Sequence, residues 1–168
     1  MEKIKTILII SILLFATKTH AQSEKAIKIQ IERSIASYFN TQGSEFFEKA
    51  PYKNSAFTFG IAISINKNGV IDSILYSNKT ALLDSIVSFT RIAEMLKDKK
   101  IMKVFSNHKN TVFLSVVLLR KSWEHSIENL EDFDSYFYNM IPNIDMISRL
   151  KKIRVLPAIT MVQGRKEY

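Results

Sequence analysis

Between Phe57 and Ile65 the chain alternates at every step. Phe57, Phe59, Ile61, Ile63 and Ile65 are large and apolar, whereas Thr58, Gly60, Ala62 and Ser64 are small. Successive side chains of a strand point to opposite faces, so only an extended chain gathers the five large residues on one side. A helix would scatter them around its axis. The small residues on the other face leave room for a close approach. Lys67-Asn68-Gly69 then supplies a tight turn, with residue types that tolerate positive φ. Val70 to Ser77 follows as a second strand-like run. The segment 56–77 is therefore predicted to be a β-hairpin, and a hairpin with one apolar face needs further elements to cover it.

The flanking segments supply that cover. Ile27, Ile31, Ile35 and Tyr38/Phe39 recur at helical spacing within residues 23–40, with Ser23 placed to cap the first turn. Over residues 80–97, Leu82, Ile86, Phe89, Ala93 and Leu96 form a second helical stripe, widened by Leu83 and Val87; Ser77, Asn78 or Thr80 can cap it. Residues 101–105 fit a short strand or a continued helix, and 106–110 form a polar loop. Thr111 to Lys121 is apolar on both faces, as a central strand covered on both sides would be. Residues 127–138 read as a helix, Pro142 as its stop, and 144–150 as a further turn or two. Ile153 to Val162 reads as the last strand; Pro157 cannot donate to a ladder, which places this strand at an edge. The order α-β-β-α-β-α-β predicts an α+β domain, a mainly antiparallel sheet of about four strands with helices packed against it.

The first 21 residues read as a secretory signal peptide. Lys3 and Lys5 give a basic start, Ile7 to Ala16 an apolar run, and Thr19-His20-Ala21 a small-x-small exit. The apolar run falls short of the roughly 20 residues of a spanning helix. Cleavage after Ala21 would leave 22–168 as one domain: an N-terminal helix in 22–50, a ββαβ core in 51–121, and a C-terminal helix and edge strand in 122–168. The expected destination is a bacterial periplasm or the exterior, with no stable membrane span after cleavage. The chain has no cysteine, so disulfides, thiol nucleophiles and thiolate metal sites are excluded. Its net charge of +8 suits an anionic surface as well as simple solubility.

Within the core, Ile65, Gly69, Ile71, Ile74, Ser77 and Asp84 fall in step along a strand, a glycine turn, a strand ending at serine and a helix with an early acid. Together with the strand at 111–120, this run resembles the ββαβ core of the C-terminal domain of TonB-type energy transducers. The resemblance implies the fold and a strand-edge binding habit. It does not extend to energy transduction, which needs a retained anchor and a long proline-rich spacer; this chain has three prolines.

Candidate chemistry is sparse. His125 and Glu128 stand three apart on an expected helix, a spacing that can hold a divalent metal or move a proton, and they define an alternative reading as a metal-assisted hydrolase. His108 is the other histidine beyond the signal segment. No Gly-x-Ser-x-Gly elbow is present, and the glycines at 43, 60, 69 and 164 stand too far apart for a phosphate-cradling loop, so no cofactor is expected. Tyr136 and Tyr138 could line a groove. Lys97, Lys99, Lys100 and Lys103 form the densest basic patch, suited to an anionic envelope surface. Nucleic-acid binding is disfavoured, because the strands carry Ile, Ser and Thr where a basic and aromatic platform is needed. The reading that results is a non-enzymatic exported module that captures an envelope protein at a sheet edge. Residues 153–162 are that edge, and Ile159 is its expected exposed contact.

Overall fold

The computed structural model describes residues 23–40, 45–47, 55–120, 141–144 and 151–162. Residues 23–40 form helix α1. The hairpin follows as β1 (Ala56–Ile65) and β2 (Ile71–Tyr76). Three short helices come next: α2 (Ala81–Val87), α3 (Phe89–Leu96) and α4 (Lys99–Phe105). Then come β3 (Thr111–Arg120), β4 (Lys152–Val155) and β5 (Ile159–Val162). The sheet runs β2-β1-β3, with β4 and β5 both paired to β3. β1 is antiparallel to β2 and β3, whereas β4 and β5 are parallel to β3. The α+β class and the mostly antiparallel sheet agree with the sequence pattern.

The alternation in β1 decides which side the helices occupy. Phe59, Ile61, Ile63 and Ile65 join one core with Ile27, Ile31, Ile35 and Phe39 of α1, Leu83 and Ile86 of α2, Phe89, Ile92 and Leu96 of α3, and Phe105 of α4. The register sets Phe59 opposite Val117 and Ile63 opposite Phe113, so β3 adds its own odd-numbered residues to this face. Phe59 and Phe89 meet edge to face at 5.2 Å, and Tyr76 lies 4.5 Å from Phe89. The Tyr76 hydroxyl donates to the Phe89 carbonyl at 3.1 Å. Its pKa is raised by desolvation, reinforced by the Asp84 charge, so it stays a neutral donor. On the outer side of the helices, Arg91 of α3 stands 5.5 Å over the Tyr38 ring of α1.

The other face of β1 is also buried, although its residues are small. Ala62 lies between Leu75 and Leu114, and Ser64 between Ser73 and Val112. Ala62 is flanked by two leucines, and Ser64 is covered by Lys151, whose Nζ donates to its hydroxyl. The alternation thus records residue size at a two-sided core, where one buried face was expected.

Local chemistry fixes the turns. Asn66 Oδ1 accepts the backbone N–H groups of Asn68 and Val70, and Gly69 closes the turn at φ +79°. Thr80 caps α2 by accepting from the Leu83 N–H at 3.2 Å. The expected single helix over 80–97 is broken at Ser88, which adopts φ +49°. Asp84 Oδ1 accepts the Phe89 N–H at 2.8 Å, so it satisfies the start of α3 from inside α2. The break brings Val87 and Phe89 into the core together, which a straight helix could not do. Residues 101–105, ambiguous in sequence, belong to α4.

The last strand is split. Leu114 is paired with Val155 and Val117 with Ile159, so three steps along β3 match four along the edge. The extra residue lies around Pro157, where the edge bulges. Leu156 still donates to the Leu114 carbonyl at 2.7 Å, and Pro157 offers its own carbonyl to the Ser115 hydroxyl at 3.2 Å.

Candidate functional site

A bulge of one residue reverses side-chain parity, and that reversal shapes the site. Val155 pairs with Leu114 on the face away from the helices; Ile159 pairs with Val117 on the helix face. Ile159 is accordingly 0% exposed and part of the core, which corrects its expected role as the exposed edge contact. The exposed apolar residues of this edge lie before the proline. Val155 is 75% exposed, Ile141 64% and Ile153 48%, more than any other described large apolar side chain.

Strand β4 alternates in chemistry as well as in direction. Ile153 and Val155 point away from the helices, in register with Val112 and Leu114. Lys152 and Arg154 lie on the helix face, in register with Thr111 and Phe113. On the first side, an apolar groove of about 280 Å³ runs between Leu114, Val116, Ile141, Pro142, Val155 and Leu156. Among the described strands β4 has a ladder partner on one side only, which leaves its outer N–H and C=O groups without a strand partner there. The sequence signal for the edge was Pro157; the signal missed was that an edge proline invites a bulge.

The opposite edge, β2, borders a groove of about 500 Å³ against α3, lined by Tyr76 and Phe89 but rimmed by Lys79, Glu94 and Lys97. Charges at its mouth make it less suited to an apolar occupant.

One cluster deserves a chemical test because it brings a serine to a lysine. Lys151 Nζ donates to Ser64 Oγ at 2.5 Å and to Asp72 Oδ2 at 2.7 Å. An ammonium already donating to both cannot also accept the serine proton, and Ser64 is 0% exposed, which denies a substrate access. The cluster reads as a tie between β1, β2 and the start of β4. Desolvation would raise the Asp72 pKa, but hydrogen bonds from Lys151 and Ser64 and the lysine charge outweigh it, leaving it below its ordinary 3.8. A carboxylate with a lowered folded-state pKa stabilises the fold fully above its ordinary value, and that gain is lost as pH falls through the lowered one. Asp72→Asn is therefore expected to cost about 1 kcal/mol or less at about pH 6, since the pair is partly solvated, and to cost nothing at about pH 2. Urea midpoints of both proteins across that range check this; a difference that grows on acidification would contradict it.

Lys100 and Lys103 are exposed on α4, beside exposed Lys97 and Lys99, with Asp98 capping the helix between them. His108 is buried in the loop after α4, its ring edge-on to Phe113 at 5.1 Å. His125, Glu128, Tyr136 and Tyr138 lie outside the described residues, as do the signal segment and the helix expected at 127–138. Among the described residues no group of three or more acidic or histidine side chains is placed to hold a metal, and no helix is long and apolar enough to cross a membrane. Comparison with protein-family models, with curated proteins and with solved structures finds no match to this chain.

Proposed function

We propose that this protein is a non-enzymatic binding module exported to the bacterial cell envelope, where it holds an extended, apolar segment of an envelope protein along β4. The observation that carries the reading is the coincidence of an edge strand with exposed Ile153 and Val155 and an adjoining apolar groove. Strand addition would use the outer backbone groups of β4 for affinity, and the groove would select alternate side chains of the guest. Covering Val155 and Ile141 would contribute about 1 kcal/mol or more each. The signal-like first 21 residues support the compartment, and the resemblance to TonB-type C-terminal domains supports the strand-edge habit.

A photo-reactive amino acid at Val155, in the full chain expressed in its native envelope, tests this. The expected result is one discrete adduct with an envelope protein, not formed from a probe at Lys67 on the exposed hairpin turn. A synthetic peptide covering the adduct site should bind the purified protein, and Val155→Asp should weaken that binding about tenfold or more. An adduct confined to the chain itself, equal capture from Lys67, or an adduct peptide indifferent to Val155→Asp would overturn the reading.

A further inference from the structure

The helix-facing side of β4 opens on a second, chemically opposite cavity. A cleft of about 340 Å³ is lined by Ser23, Asn107, His108, Lys109, Thr111, Lys152 and Arg154. These residues come from four places: the start of α1, the loop after α4, the first residue of β3 and alternate positions of β4. The parallel register sets Thr111 directly beside Lys152, and the Lys152 N–H donates to the Asn110 carbonyl at 2.8 Å, which locks the loop to the strand.

The charge balance of the cleft is lopsided. Lys109, Lys152 and Arg154 bring three positive charges, and the neighbouring acid, Glu24 of α1, is engaged by Arg154 Nη1. Among the described residues neither Lys109 nor Lys152 has an ion-pair partner. Arg154 is held in a fixed direction by Glu24, yet its Nε is buried and has no hydrogen-bond partner among the described residues. A buried guanidinium N–H without an acceptor costs free energy, and like charges gathered in a concave site repel. One anion with several acceptor oxygens would relieve both.

We propose that this cleft binds a phosphate group, as a phosphoester or as free phosphate. A dianion matches the excess charge better than a carboxylate. Its oxygens can accept charge-assisted hydrogen bonds from Lys109 on the loop and from Lys152 and the Arg154 Nε–H on β4. The cleft is larger than a bare phosphate, which leaves space for an ester substituent at its exposed rim. The site is independent of the groove on the other face, because β4 sends alternate side chains to each.

The test uses inorganic phosphate on the full chain at constant ionic strength, read by calorimetry and by thermal stability against chloride. One phosphate per chain should bind saturably and raise the melting temperature. Lys109→Gln with Lys152→Gln should weaken binding about tenfold or more. Both side chains are exposed, so without phosphate this variant is expected to keep the native melting temperature or raise it slightly as the repulsion is relieved. Arg154→Lys is the second variant; it retains a cation for Glu24 but removes the Nε–H from its place, and should also weaken binding. Absence of saturable binding, or equal affinity in the wild-type protein and the double variant, would overturn the proposal. A parallel arm distinguishes the source. Sedimentation with phosphatidic acid vesicles, whose headgroup is a phosphomonoester, that inorganic phosphate competes away assigns a lipid headgroup; phosphate binding without sedimentation assigns a soluble phosphoester.

Discussion

Ile159→Asp is expected to remove a large share of the domain's stability, whereas Val155→Asp four residues away leaves it nearly unchanged. Both are aliphatic residues of the same sheet edge, and both numbers are odd. An unbroken strand would give the two substitutions the same consequence. The bulge at Pro157 separates them: Ile159 is 0% exposed against Val117, and Val155 is 75% exposed. Burying a carboxylate among Val117, Leu119 and the helices, with no partner, costs more than about 4 kcal/mol, a large share of the 5–15 kcal/mol of a typical domain. The surface change at Val155 should stay within about 0.5 kcal/mol. Urea denaturation of the two variants reads the contrast directly. Equal midpoints would show that the edge runs without the bulge, and the groove would then need a different lining.

Gly69→Ala is expected to destabilise the protein by about 2–4 kcal/mol, through two additive causes. Gly69 sits at φ +79°, where an L side chain is strained by about 1 kcal/mol or more. A Cβ there would also stand 2.4 Å from the Ser106 carbonyl oxygen, which belongs to the backbone just after α4. The turn would have to lift away from α4, and the loop leading into β3 with it. The obstacle is main chain, so Ser106→Gly should not rescue the variant. Asn68→Gly in the same turn should be nearly silent, because Asn68 is exposed and contributes its backbone N–H to Asn66. If Gly69→Ala melts like the wild-type protein, the hairpin does not rest on α4.

The hairpin was legible because every requirement for it is local. Side-chain size alternates along β1, Asn66 and Gly69 supply the turn chemistry, and Thr80 caps the next helix within three residues. The same holds for α1, where Ile27, Ile31, Ile35 and Phe39 define one face and all four are buried. The break at Ser88 was less legible. The stripe from Leu82 to Leu96 fits one helix, and the alternative becomes favourable only because Asp84 caps the Phe89 N–H and Phe89 packs on Phe59 and Tyr76.

The site divides along the same line. Lys152, Ile153, Arg154 and Val155 alternate in polarity, and that alternation by itself determined that β4 would have one apolar and one charged face. The patterns around Phe57–Ile65, Lys67-Asn68-Gly69 and the helical stripes likewise determined the hairpin and the α+β class. Only the tertiary structure decided which residues share a surface. Lys109 meets Lys152 and Arg154 in one cleft because β3 and β4 run parallel in a particular register. Ile159 turns into the core while Val155 stays outside because one residue is spent in a bulge. Register and parity depend on pairing between distant segments. A side chain's period of two makes that pairing all-or-none, so one step moves a residue from the surface to the core.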